Sequence, residues 1–206
     1  MKRRWIGLLV LVCAGPALAQ LAGLPIAGGA SAPAGLMQGS GGAVLGDDFN
    51  TYGVRFTLAP IEGLAVFGEA GLLDPDEGDM GWAVQGGGLF VLPVDWPVDV
   101  GVRGALGYGG FDIDEAGVEA EATLLTLNGG VLASKTIDDF TPYAFLGVNY
   151  ADTEVDIKGY GDESEDETDL AVAAGAVFAL NERLSFYGEI AHIDDVFIGL
   201  GARYGF

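Results

Sequence analysis

The chain has 206 residues, 9 basic against 30 acidic for a net charge of −21, and half of its residues are hydrophobic. That length is one domain, and that charge excludes a nucleic-acid partner, which needs a basic footprint. Strong acidity has a second source in adaptation of a whole proteome to high salt.

Residues 1–19 read as a cleaved signal peptide. Lys2, Arg3 and Arg4 form the positive start, Trp5 to Ala14 the apolar stretch, and Ala17-Leu18-Ala19 the small-x-small cleavage site. Cleavage removes Cys13, the only cysteine, and with it disulfide and thiol chemistry. Six basic residues then face thirty acidic ones, since residues 1–19 hold no Asp or Glu. Residues 20–33, rich in Ala, Gly, Pro and Leu, read as a periplasmic lead-in, and residues 34–206 as the folded domain.

The remainder alternates with period two, as half-buried strands do. Thr51 to Leu58 sends Tyr52, Val54, Phe56 and Leu58 to one face and Arg55 to the other. Pro60 to Gly63 turns. Leu64 to Leu72 follows, with Phe67 and Glu69 on the second face, and Asp74 to Asp79 is a polar loop. Trp82 to Leu92 alternates opposite Gln85, Pro93 to Pro97 turns, and Val98 to Tyr108 carries Asp99 and Arg103 inward. Residues 110–117 read as an acidic loop. Next come a strand with Leu125, Leu127 and Val131 outward, which forces Leu124 and Leu132 inward, and a strand with Leu146, Val148 and Tyr150 outward. Residues 152–168 read as a long acidic loop. Leu170 to Leu180, Leu184 to Ile190 and Val196 to Phe206 complete nine clear strands. Spanning barrels close with an even number. The Gly-rich stretch Leu36 to Leu45 is the best tenth, so ten strands are favoured and eight is the alternative.

No apolar run past residue 20 reaches the roughly 20 residues of a spanning helix, the longest being Leu170 to Leu180, whereas tilted strands span with about 9–11. The fold class is therefore all-β, a transmembrane up-and-down antiparallel barrel with apolar residues outward and charge in the connections. The signal peptide, the alternation, the Pro-Tyr-Ala-x-Leu-Gly-Val-x-Tyr stretch at 142–150 and the final Tyr204-Gly-Phe206 resemble small OmpA/OmpX-like and opacity-type bacterial outer-membrane barrels. The resemblance implies the outer membrane of a Gram-negative-type bacterium, contact with outer-membrane lipid and lipopolysaccharide, and delivery by export and barrel-assembly machinery. It makes Tyr204 and Phe206 the outer-membrane assembly signal.

Three places could carry chemistry. Inward-facing Arg55, Glu69, Asp99, Arg103, Glu189 and Arg203 predict a lumen ion-pair network, because buried charges need partners. Such a network either fills the lumen or gates a narrow pore. Leu64-Ala-Val-Phe-Gly-Glu69 and Leu184-Ser-Phe-Tyr-Gly-Glu189 are the same pattern, each projecting an aromatic and a carboxylate inward. In the second acidic loop, Asp152, Glu154, Asp156, Asp162, Glu163, Glu165, Asp166 and Glu167 suit weak Ca²⁺ or Mg²⁺ binding or a solvated loop. The spacing is no EF-hand, as Ile157 stands where glycine is needed. His192 lies beside Asp194 and Asp195 with no serine near it in sequence, so no enzyme activity and no cofactor are expected. The function read from the sequence is a structural or surface-interaction barrel presenting acidic loops. The alternative is a narrow cation-preferring, porin-like channel.

Overall fold

The computed structural model describes residues 28–46, 49–75, 79–115, 118–157 and 161–206, and of Phe49, Asp114, Glu115, Val118, Glu119 and Asp162 the backbone alone. The signal-peptide segment lies outside the described residues, as do residues 20–27 of the lead-in.

The described residues form ten strands: β1 (Met37–Leu45), β2 (Phe49–Ile61), β3 (Leu64–Pro75), β4 (Gly81–Val91), β5 (Asp99–Glu115), β6 (Val118–Ser134), β7 (Phe140–Ile157), β8 (Gly161–Ala179), β9 (Leu184–Ile193) and β10 (Asp195–Gly205). Each pairs antiparallel with the next, and β1 closes the barrel on β10, from Gln38 opposite Gly205 to Leu45 opposite Ile198. The Gly-rich stretch is thus the tenth strand. Closure leaves the backbone with no open edge within the ring.

Alternation decides the two faces. Val54, Leu106, Leu127, Leu146 and Ile190 are exposed on the outer wall, while Arg103, Leu132, Phe145 and Tyr187 are buried inside. Aromatics mark two levels of the wall. Phe206 touches Phe56 and Tyr204 near the end where β1 begins and β10 finishes, the terminal end, with ring centroids 6.3 and 5.4 Å apart, and Trp82 meets Tyr108 nearer the far end at 5.7 Å. An apolar band between aromatic girdles is how a spanning barrel meets a bilayer. Inside, glycines make room for rings. A Cβ at Gly42 or Gly201 would collide with the Tyr187 hydroxyl, and one at Gly130 or Gly147 with the edge of Phe145. Rings and glycines therefore interdigitate across the lumen at the density a packed interior requires.

Two stretches read as acidic loops are strands. β5 runs to Glu115 and β6 begins at Val118, while β7 runs to Ile157 and β8 begins at Gly161. Acid density suggested a loop, but the period of two persists beneath it. Ala151, Thr153, Val155 and Ile157 are buried, and Ala120, Ala122, Val155 and Ile157 form a second apolar cluster with Phe111 and Ile113. These four strands have 17, 17, 18 and 19 residues, against 9–13 for the other six. β9 pairs with β8 only from Val172 to Ala179, so Gly161–Ala171 pairs with β7 alone among the described residues. At about 3.3 Å per residue, this unpaired edge is roughly 35 Å long. The barrel therefore carries a raised four-stranded sheet on one side of its far end.

Residues 28–33 of the lead-in cross the mouth of the barrel. The Ala30 N–H donates to Ser134 Oγ of β6 at 2.7 Å, and the Gly63 N–H of the β2–β3 turn donates to the Ala32 carbonyl at 2.9 Å. Gly28 lies against the Arg203 guanidinium of β10, where a Cβ would collide. Ala30 and Ala32 are buried at 0% and 5% exposure. Gly35, at φ 83°, then turns the chain into β1, and its N–H donates to the Ala59 carbonyl.

Candidate functional site in the lumen and the raised sheet

A row of inward side chains crosses the barrel from β10 to β4. Arg203 pairs in register with Ser40, Ser40 with Arg55, Arg55 with Glu69, and Glu69 with Gln85. Arg55 and Glu69 form an ion pair with side chains 10% and 0% exposed. Arg103 reaches in from β5 and donates to Asn128 Oδ1 of β6 at 3.0 Å. The two matching sequence patterns play the same part on β3 and β9. Phe67 lies 5.0 Å from the Arg55 guanidinium and 4.8 Å from that of Arg103, and Tyr187 lies 4.9 Å from that of Arg203. Each aromatic two residues before the carboxylate thus cradles arginine charge, a contact strengthened where water is excluded. Glu189 is buried at 3% exposure, opposite Gly199 of β10.

Asp99 does not join this group. It has the inward parity, opposite Ser134, but stands exposed at the rim and forms no ion pair among the described residues. The strand starts there, so the side chain keeps its water rather than facing an arginine.

Two closures of the lumen were missed from sequence. The far end is sealed by apolar side chains from around the ring: Val44, Leu73, Leu124, Ile193 and Phe197 are at most 3% exposed, with Phe111 packed against them. Burial of each large side chain contributes about 1.5–3 kcal/mol. A polar interior is the usual expectation for such barrels, yet Leu124 and Leu132, inward as the alternation requires, are buried at 2% and 1%. The terminal end is closed by the strap of residues 28–33. Between them lies a cavity of about 80 Å³.

The acids of the raised sheet are divided by the pleat. Asp152, Glu154 and Asp156 share the outward parity of Tyr150, and Asp166 that of Leu170. Glu163, Glu165 and Glu167 share the opposite parity, that of the buried Ala171, and are exposed. Asp162 enters only as backbone, opposite Asp156. Among the described residues no group of three His, Cys, Asp or Glu is placed to hold a metal ion. The stretch is a strand pair that divides these acids between two faces. Asp152 faces Asp166 across β7 and β8, and Asp156 faces Glu121 across β7 and β6. Like charges so placed repel. Glu167 has its carboxyl pushed up, first by desolvation and then by Asp169, Glu165 and Asp194.

His192 is exposed at the far rim, its Nδ1 3.2 Å from the Asp195 carbonyl, and Ser185 sits at the other end of β9. Tyr204 is on the outer wall beside Arg183, whose guanidinium donates to its hydroxyl at 3.4 Å, and the Phe206 N–H donates to the Met37 carbonyl of β1.

Solved structures with a similar fold include Ail, the attachment invasion locus protein of Yersinia pestis, at 18% identity. It covers 84% of this chain and 99% of that one at a TM-score of 0.42. The KdgM porin follows at 8% identity, 82% and 99% coverage and 0.44. The N-terminal barrel domain of Pseudomonas aeruginosa OprF follows at 13%, 84% and 98%, and 0.37. No curated protein sequence matches the chain. The family model for the outer membrane protein beta-barrel domain matches residues 8–204. With that match over nearly the whole length and a closed ten-stranded antiparallel ring, the chain belongs to the outer-membrane β-barrel domain family.

Proposed function

We propose that this outer-membrane barrel is a closed wall element that presents an acidic four-stranded sheet to the outside, and that it does not conduct. The observation that carries this reading is the double closure of the lumen, by the apolar cap at the far end and by the strap at the terminal end. Termini of such barrels lie in the periplasm, which puts the extensions of β5–β8 at the cell surface. Outer-membrane lipid and lipopolysaccharide surround the wall, and export and assembly machinery deliver the chain there. The role is structural or one of surface interaction, without catalysis.

Two measurements test it. The refolded mature protein in planar bilayers is expected to be silent, with heat-modifiable migration showing that it is folded. Discrete cation-selective steps would overturn the closed-wall reading in favour of the narrow channel. Cleavage after Ala19 leaves no cysteine, so Glu165→Cys gives a single label site. A membrane-impermeant maleimide is expected to label it on intact cells, and labelling only after lysis would refute the surface placement.

A further inference from the structure

The cavity in the terminal half of the lumen is lined by Arg55, Arg103 and Arg203, by the hydroxyls of Ser40 and Thr57, and, among the described residues, by no Asp or Glu. Its wall on the terminal side is the strap, through Gly28, Gly29 and Ser31. We propose that this cavity binds a small inorganic anion, of chloride to phosphate size, as a structural counter-ion.

Three observations support it. Arg103 is 4% exposed and hydrogen-bonded to the neutral amide of Asn128, and among the described residues it forms no ion pair. A buried charge without an opposite charge in contact is costly, so such a group calls for one. The guanidinium has five N–H donors, more than the single bond to Asn128 Oδ1 uses. Secondly, the guanidiniums of Arg55 and Arg103 both lie within 5.0 Å of the centre of one ring, Phe67. The Arg55 charge has Glu69 in contact, whereas Arg103 has no carboxylate in contact among the described residues. Thirdly, the inward charges among the described residues do not balance: Arg55, Arg103 and Arg203 stand against Glu69 and Glu189. The space fits the ligand. One water needs about 10–15 Å³ of such volume, so about 80 Å³ accepts a halide with water, or one oxyanion.

The test is chloride-35 NMR of the refolded mature protein in an uncharged detergent. The expected result is excess broadening of the chloride signal that phosphate displaces and gluconate, too large for the cavity, does not. Arg103→Gln removes the charge and Ser40→Leu fills the space while keeping every arginine. Each is expected to lose the phosphate-sensitive broadening while keeping heat-modifiable migration. If one variant fails to fold, the other carries the comparison, and the contrast between phosphate and gluconate on the wild type needs neither. No excess broadening in the wild type, equal displacement by both anions, or broadening unchanged in the folded variants overturns the proposal.

Discussion

Replacing Glu69 with Gln tests how the lumen is held. The carboxylate side chain is 0% exposed and pairs with Arg55, whose own side chain is 10% exposed. The amide keeps the shape and removes the charge. Arg55 is then left with Arg103 across Phe67, and with Glu189 as the remaining buried carboxylate among the described residues. Breaking a buried pair from one side costs about 3–5 kcal/mol, whereas an exposed pair is worth about 0–1 kcal/mol. At 1.36 kcal/mol per factor of ten, the folded-to-unfolded ratio should fall roughly 100- to 5,000-fold. The assay is reversible urea unfolding in lipid vesicles, followed by tryptophan fluorescence and by heat-modifiable migration. The double variant Arg55→Met with Glu69→Leu should regain most of the loss, because an apolar pair of similar size often replaces a buried ion pair at no net cost. A single-variant loss under about 1 kcal/mol, the exposed-pair range, would show that water screens the pair and would refute its burial in the lumen.

Two further outcomes follow from the same geometry. Gly201→Ala should prevent closure or cost at least about 1–3 kcal/mol, because its Cβ meets both the Tyr187 hydroxyl and the Gly41 carbonyl, whereas Gly68→Ala, with nothing within 4 Å, should fold as the wild type does. The readout is the heat-modifiable fraction after refolding. The raised sheet should be steadier in mild acid. A carboxyl with its folded pKa raised, as at Glu167, binds its proton more tightly folded than unfolded, so its contribution is present below the unfolded value and lost as pH rises through the folded one. Limited proteolysis within residues 150–170 should therefore slow between pH 7 and pH 5, and equal rates after correction for protease activity would contradict the repulsion.

The sequence by itself determined the class of fold, because a period of two with a lipid-facing apolar set is a local property. Tyr52, Val54 and Phe56 against Arg55, or Leu146 and Val148 against Asn149, needs no knowledge of a partner strand. It also determined which charges point inward, since parity alone places Arg55, Glu69, Arg103, Glu189 and Arg203. Only the tertiary structure decided what those charges meet. The shear of the closed ring brings Arg103 of β5 to Phe67 of β3 and leaves Asp99 in water at the rim. Composition also misled where it competed with period. The acids around Val155 hid the extensions of β7 and β8, and the inner residues of the β7 extension pack only because β5, β6 and β7 lie side by side. The closures at the two ends were beyond local reading for the same reason. Leu73, Leu124, Ile193 and Phe197 form a cap only once four strands curl to face one another. Ala30 is buried only because Ser134, 104 residues away, offers its hydroxyl across the mouth.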